Sequence, residues 1–171
     1  MKRVPGVVIG IVKSLDDPSG QGRIELAFPW VDDQQSGWAP VAVPLAGKSR
    51  GMYFMPEPQD EVLVAFERGD IDHPFIVGYL WNGVDTPPEN DPENRIILTP
   101  GGHTLRFEDK NQKIILQSKG QHELVIDDSA DTLTLQTKGG QSIVLDDTQS
   151  SITLSGGGRQ IQMMAGQVQI T

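Results

Sequence analysis

Three consecutive stretches, LRFEDKNQKIILQSKGQHE (105–123), LVIDDSADTLTLQTKGGQS (124–142) and IVLDDTQSSITLSGGGRQI (143–161), fall into step at a spacing of 19 residues. Leu105, Leu124 and Ile143 keep that spacing, as do Phe107, Ile126 and Leu145. So do Ile114, Leu133 and Ile152, and then Leu116, Leu135 and Leu154. Turn formers keep the same step in Asp109, Asp128 and Asp147 and in Gly120, Gly139 and Gly158. This is an internal repeat. Each repeat holds two i, i+2 apolar pairs separated by Asp, Gly, Ser, Lys or Gln, the grammar of short strands joined by tight turns. Ile96 and Leu98 precede the series, and Ile161 with Met163 and Val168 with Ile170 extend it. Nine strands are therefore predicted over 96–171 without a helix.

Strict alternation gives each strand one apolar and one polar face. The 18 apolar side chains from Ile96 to Ile170 then share one face. Each forfeits about 1.5–3 kcal/mol if left wet, so something must cover them. No amphipathic helix is at hand. Two inward residues per strand make a narrow core for a single-chain solenoid. Three chains winding about one axis bring the pairs together and remove the sheet edges. The reading is an intertwined trimeric β-helix, nine strands at about 4.8 Å giving a rod of about 40 Å; a two-sheet sandwich is the alternative.

Asp85–Asn94, DTPPENDPEN, is rich in proline and acid, so residues 85–95 read as a linker. Residues 1–84 carry short β-like runs between Gly, Pro and Asp: 6–15, 22–28, 38–45, 61–66 and 74–80. Five strands in so short a span suit a small barrel or sandwich, and the expected class is all-β. The 171 residues hold 14 basic and 23 acidic side chains, a net charge of −9, and no cysteine. That sign disfavours a phosphate-backbone partner, and thiolate or disulfide chemistry is excluded. MKRVPGVVIGIVKSL makes a poor signal peptide, and no run reaches the length of a membrane helix.

The first half resembles the OB-fold of the VgrG and phage baseplate assembly protein V spikes. The resemblance rests on Gly22-Arg23-Ile24-Glu25-Leu26-Ala27-Phe28-Pro29-Trp30, on Ser36-Gly37-Trp38-Ala39-Pro40-Val41 and on Ala46-Gly47-Lys48. It continues through Gly51-Met52-Tyr53-Phe54-Met55-Pro56, Asp60-Glu61-Val62-Leu63-Val64-Ala65-Phe66, Gly69-Asp70, Pro74, Val77-Gly78, Asn82-Gly83 and Pro87-Pro88. It implies an OB barrel followed by a β-helical needle, the central spike of a contractile injection machine. Such a spike is a homotrimer that sits below a separate hub or baseplate protein and pierces the target envelope. It would be assembled in the bacterial cytoplasm for a phage tail, tailocin, extracellular injection system or type VI apparatus, with tube or effector proteins as further partners and transient contact with the target membrane. Larger relatives carry a hub region ahead of the barrel, and some phage spikes carry a lysozyme domain before the needle; neither is expected here, so no enzyme activity is implied. Some short phage spikes end in a His-x-His metal tip. This chain has no histidine after His122, and its ending GQVQIT, residues Gly166, Gln167, Val168, Gln169, Ile170 and Thr171, resembles a blunt end capped by a PAAR-type tip protein.

No cofactor and no catalytic set is expected. His73 lacks a nucleophile motif and reads as a loop residue. Glu108-Asp109, Asp127-Asp128 and Asp146-Asp147 recur at 19 residues and read as turn closers, not calcium ligands or an acid–base pair. His103 and His122 share parity with Leu105 and Leu124. If the strands extend that far, they are weak candidates for a metal or a polar plug on the three-fold axis, though Gln141 holds the third place. Two rival readings differ in class: an OB module for glycan or single-stranded nucleic acid with a trimerising tail, and a cell-wall-degrading tail spike. A net charge of −6 over residues 1–90 weighs against nucleic acid.

Overall fold

The first unit of the chain ends at Thr86 and the second runs from Pro87 to Thr171. The computed structural model describes residues 3–31 and 35–171; Met1, Lys2 and the side chains of Gln35 and Ser36 lie outside the described residues.

In the first unit, β1 (Val7–Ser14) is the hub of the sheet. It pairs antiparallel with β2 (Ile24–Ala27) on one side and with β6 (Glu61–Phe66) on the other. β3 (Gln35–Ala39) pairs with β2, and β7 (Pro74–Leu80) pairs with β6, so the order is β3-β2-β1-β6-β7. The run 38–45 reads as a single strand in the sequence, but the strand ends at Ala39. Pro40 and Pro44 bring no N–H to a ladder, and the chain turns across to β7. There Ile76 N–H donates to Pro40 O at 3.0 Å and Ala42 N–H donates to Ile76 O at 2.8 Å. This short parallel contact, Val41 against Ile76, joins the two ends of the sheet. A five-stranded closed barrel with that order is an OB-fold.

Alternation fills the barrel. Val12, Ile24, Leu26, Ala39, Val62, Val64 and Ile76 are fully buried, with Phe28 and Phe66 beside them at a ring-centroid distance of 5.5 Å. Pro74 sits at the first position of β7, where a missing N–H costs least. A short hairpin, β4 (Ala46–Gly47) and β5 (Arg50–Gly51), lies between β3 and β6. A short turn, Glu67–Gly69, with Arg68 at a positive φ of 52°, leads from β6 toward β7.

The second unit is a meander of nine strands in sequence order. They are β8 (Asn94–Leu98), β9 (Thr104–Glu108), β10 (Lys113–Gln117), β11 (Glu123–Asp127), β12 (Thr132–Gln136), β13 (Ser142–Asp146), β14 (Ser151–Gly156), β15 (Arg159–Met164) and β16 (Gln167–Ile170). From β8 to β14 two kinds of turn alternate, and both repeat, while two-residue turns join the last three strands. One places Gly102, Gln121 and Gly140 at positive φ of 83°, 62° and 81°. The other does the same with Gln112, Asp131 and Ser150 at 54°, 53° and 48°. In the first kind the hydroxyls of Thr99, Ser118 and Thr137 accept from the backbone N–H four residues on. Each turn thus satisfies its own polar groups and hands the next strand back in the same register.

The expectation for Ile96 and Leu98 is corrected by the pairing. Ile97 lies opposite Leu105 and Arg95 opposite Phe107, so Ile96 and Leu98 face the other way. Ile96, Ile97 and Leu98 are three apolar residues in a row, which leaves parity undecided. Stepping back 19 residues from Ile114 and Leu116 lands on Arg95 and Ile97.

Gly10 lies in the barrel wall, where a Cβ would come within 3.1 Å of Val64 Cγ2 and 3.4 Å of Leu26 Cδ1 and Phe28 Cε1. Gly10→Val is expected to lower barrel stability by about 1–3 kcal/mol, read as a drop in denaturation midpoint; an unchanged midpoint would contradict the close packing.

Candidate functional site

One face of the nine-stranded sheet is apolar along two unbroken columns. Phe107, Ile114, Ile126, Leu133, Leu145, Ile152, Met163 and Val168 face one another across successive strands. Leu105, Leu116, Leu124, Leu135, Ile143, Leu154, Ile161 and Ile170 do the same beside them. Cross-strand neighbours at this distance pack against each other but cover only their flanks. Within the single chain most of these side chains remain exposed, rising to 74% at Ile170. Arg95 heads the first column, its guanidinium donating to the carbonyls of Pro92 and Glu93 and pairing with Asp109 at 3.0 Å.

The other face is polar along both margins and carries further ion pairs. Lys113 and Asp127, direct neighbours across β10 and β11, meet at 2.8 Å. That pair, with the Ser129 hydroxyl, brings the Asp127 carboxyl down to about 2. Arg106 pairs with Glu89 and, at 3.1 Å, with Glu108. Glu89 also accepts from the N–H groups of Asn90 and Asp91 and from the Asn94 amide, so the acidic stretch before β8 is tied to this sheet.

His103 and His122 lie in turns, because β9 and β11 begin at Thr104 and Glu123. Both are exposed. The His103 Nδ1 accepts from Lys119 N–H at 3.3 Å and the His122 Nδ1 from Lys138 N–H at 3.4 Å. The condition that strands extend to the histidines is not met. These rings tie one turn to the next, and among the described residues no group of three or more metal-ligating side chains occurs. The paired carboxylates close turns: Asp127 accepts from Ser129 and Ala130 N–H, and Asp146 accepts from Gln149 N–H at 2.8 Å.

The barrel residues singled out in the sequence form turns and core. Phe28 and Val62 are buried, Pro56 packs inside, and Trp38 stands half-buried on β3. Pro29 and Trp30 are exposed, the Trp30 ring 5.6 Å from that of Phe28. Gly22, Gly69 and Gly83 adopt positive φ, and a Cβ at Gly51 would lie 2.8 Å from Leu45 O. Gly78 pairs with Leu63 beside an irregularity in the β6–β7 register. Asp60 accepts from Glu57 N–H, Asn82 from Val84 and Asp85 N–H, and Asp70 from Asp72 N–H while meeting His73 Nδ1 at 3.2 Å. Sequence reasoning missed one cluster. Asp17 gathers the Arg23 guanidinium at 2.8 and 3.1 Å and the N–H groups of Ser19, Gln21 and Arg23. Arg23, the largest influence, holds the Asp17 carboxyl well below the usual carboxylate range. A loop Asp six residues before an Arg carries little signal by itself.

Residues 8–81 match the type VI secretion system/phage-baseplate injector OB domain, and residues 113–171 match the phage baseplate V C-terminal trimerisation domain. Over 105 residues the chain is 33% identical to the actin cross-linking toxin VgrG1 of Vibrio cholerae, covering 54% of this chain and 10% of that protein. The type VI secretion system spike protein VgrG3 of the same species is 30% identical over 112 residues, 57% of this chain and 11% of the relative. VgrG5 of Pseudomonas aeruginosa, also a type VI spike protein, is 35% identical over 103 residues, 52% and 13%. The chain therefore spans about a tenth of the length of these relatives.

Asp17 and Asp127 have lowered pKa values in the folded state, so each contributes stability that is fully present above the ordinary carboxylate value near 3.8. That contribution is lost as pH falls toward 2 and below. The melting temperature is expected to decline over that window, and Asp17→Asn to make the decline shallower. Parallel pH profiles of the two proteins would refute this.

Proposed function

Since the chain belongs to the VgrG and phage baseplate V family of injector spike proteins, we propose that it is the trimeric central spike of a contractile machine, a mechanical device and not an enzyme. The observation that carries the reading is the uncovered apolar face of the nine-stranded sheet. In a trimer the two columns of each chain turn inward and meet those of two other chains, winding into a three-chain β-helix. The side chains from Leu105 to Ile170 then form its core, while the margins bearing Lys113, Asp127 and Glu123 stay in water. Such a rod resists opening, because freeing one strand breaks backbone hydrogen bonds to its neighbours.

The same reading supplies partners. A hub or baseplate protein meets the barrel, and a PAAR-type tip protein caps the segment Gly166–Thr171. Among the described residues β16 is the outermost strand of the sheet and pairs with β15 alone. Its open edge suits addition of a partner strand. Arg159 is the only charged side chain after Asp147, so this end offers a neutral, partly apolar docking surface. Driven by sheath contraction, the spike pierces the target envelope.

Light scattering is expected to give a mass three times the 18.7 kDa of the chain, persisting in detergent until heated. A folded monomer would overturn the reading. Leu133 stands between Ile126 and Leu145 in its column. Leu133→Asp would place an unpaired carboxylate from each chain in the core, a cost of about 3–5 kcal/mol per copy. It is expected to abolish the trimer where Leu133→Met retains it, as read by gel filtration.

A further inference from the structure

The barrel carries two exposed apolar patches of opposite charge. The first surrounds the β4–β5 hairpin. Leu45, Met52, Tyr53 and Phe54 project into water there, Tyr53 at 77%, about a groove of some 600 Å³ floored by Val41 and Val43. Lys48 and Arg50 stand at its tip, both exposed. Arg50 folds back over Gly47, where a Cβ would approach its Nε to 3.0 Å. Among the described residues neither is paired with a carboxylate.

The second patch follows β7. Trp81 is 67% exposed and Val84 89%, next to Asp60, Glu61 and Asp85. Glu61 and Asp85 both accept from the Asn82 amide at 3.3 Å, so two negative charges are met by one neutral group. The patches adjoin, since the Tyr79 hydroxyl donates to Phe54 O at 3.0 Å and lines the acidic side.

Each patch is the complement of the other: apolar centres of similar kind, a cationic rim against an anionic one. Because its two patches adjoin, this surface would also match its own copy about a two-fold axis, an arrangement that a three-fold assembly excludes. It fits head to tail, and a head-to-tail contact closes into a ring when the rotation permits. Adjacent faces suit a small ring, where both contacts of a protomer lie beside the symmetry axis; opposite faces would build a filament. We propose that barrels of neighbouring copies dock in this way, the Lys48/Arg50 patch of one against the Trp81/Val84/Asp85 patch of the next. The ring size of three rests on the trimeric reading above. The barrels then form an interface of their own in addition to the needle, and truncating the needle would leave them a residual tendency to associate.

The chain has no cysteine, so introduced thiols report cleanly. Ser49→Cys and Thr86→Cys place one thiol beside each patch. After oxidation of the full-length protein, the double variant is expected to run as covalent dimer and trimer on a denaturing gel, and each single variant as monomer. Adding Arg50→Glu is expected to cut the interchain yield about fivefold, the factor carried by one kcal/mol, and adding Asp85→Arg to that variant to restore it. A protein of trimeric solution mass whose double variant forms no interchain link would overturn the contact and leave the trimeric spike standing. Linking by a single variant, or a yield indifferent to Arg50→Glu, would also overturn it. A monomeric solution mass would remove the trimer and this contact together.

Discussion

Strand register is the constraint on which the second half of this protein depends. Side chains alternate with a period of two, so a slip of one residue at any turn would send the remaining apolar pairs to the wrong face. From β9 to β16 no slip occurs, and Leu105 and Phe107 are continued in line through to Ile170 and Val168. The turns enforce this. Their left-handed residues repeat at 19, and the Thr99, Ser118 and Thr137 hydroxyls hold one kind of turn to a single geometry. Residues that adopt positive φ without being glycine, such as Gln112 and Asp131, are held there by ladders on both sides.

The barrel solves a different problem with different means. Its alternating strands bury their own core, and it closes where a proline-interrupted stretch crosses to Ile76. Many of its distinctive residues therefore serve the wall and the corners. The surface left over is where large apolar side chains stay exposed. That division explains why a small acidic domain keeps Tyr53, Trp81 and Val84 in water.

Much of the fold was legible because repetition amplifies weak signals. A lone Leu-x-Leu means little, but eight i, i+2 pairs in step exclude a helix and place every strand from β9 to β16. The one misplaced pair, Ile96 and Leu98, came from reading three consecutive apolar residues by hydropathy when the repeat pointed to Arg95 and Ile97. The condition attached to His103 and His122 fails for a related reason: their parity matches the core columns, yet each lies in a turn, where parity has no meaning.

The sequence by itself determined the all-β class, the two kinds of β-structure, the apolar columns and the turn positions, because these follow from local period and spacing. Only the tertiary structure decided how the barrel closes, that Asp17 organises the loop around Arg23, and that the Lys48/Arg50 and Trp81/Asp85 patches adjoin. Each of those joins residues through the folded path of the chain, and spacing along the sequence carries no information about such meetings.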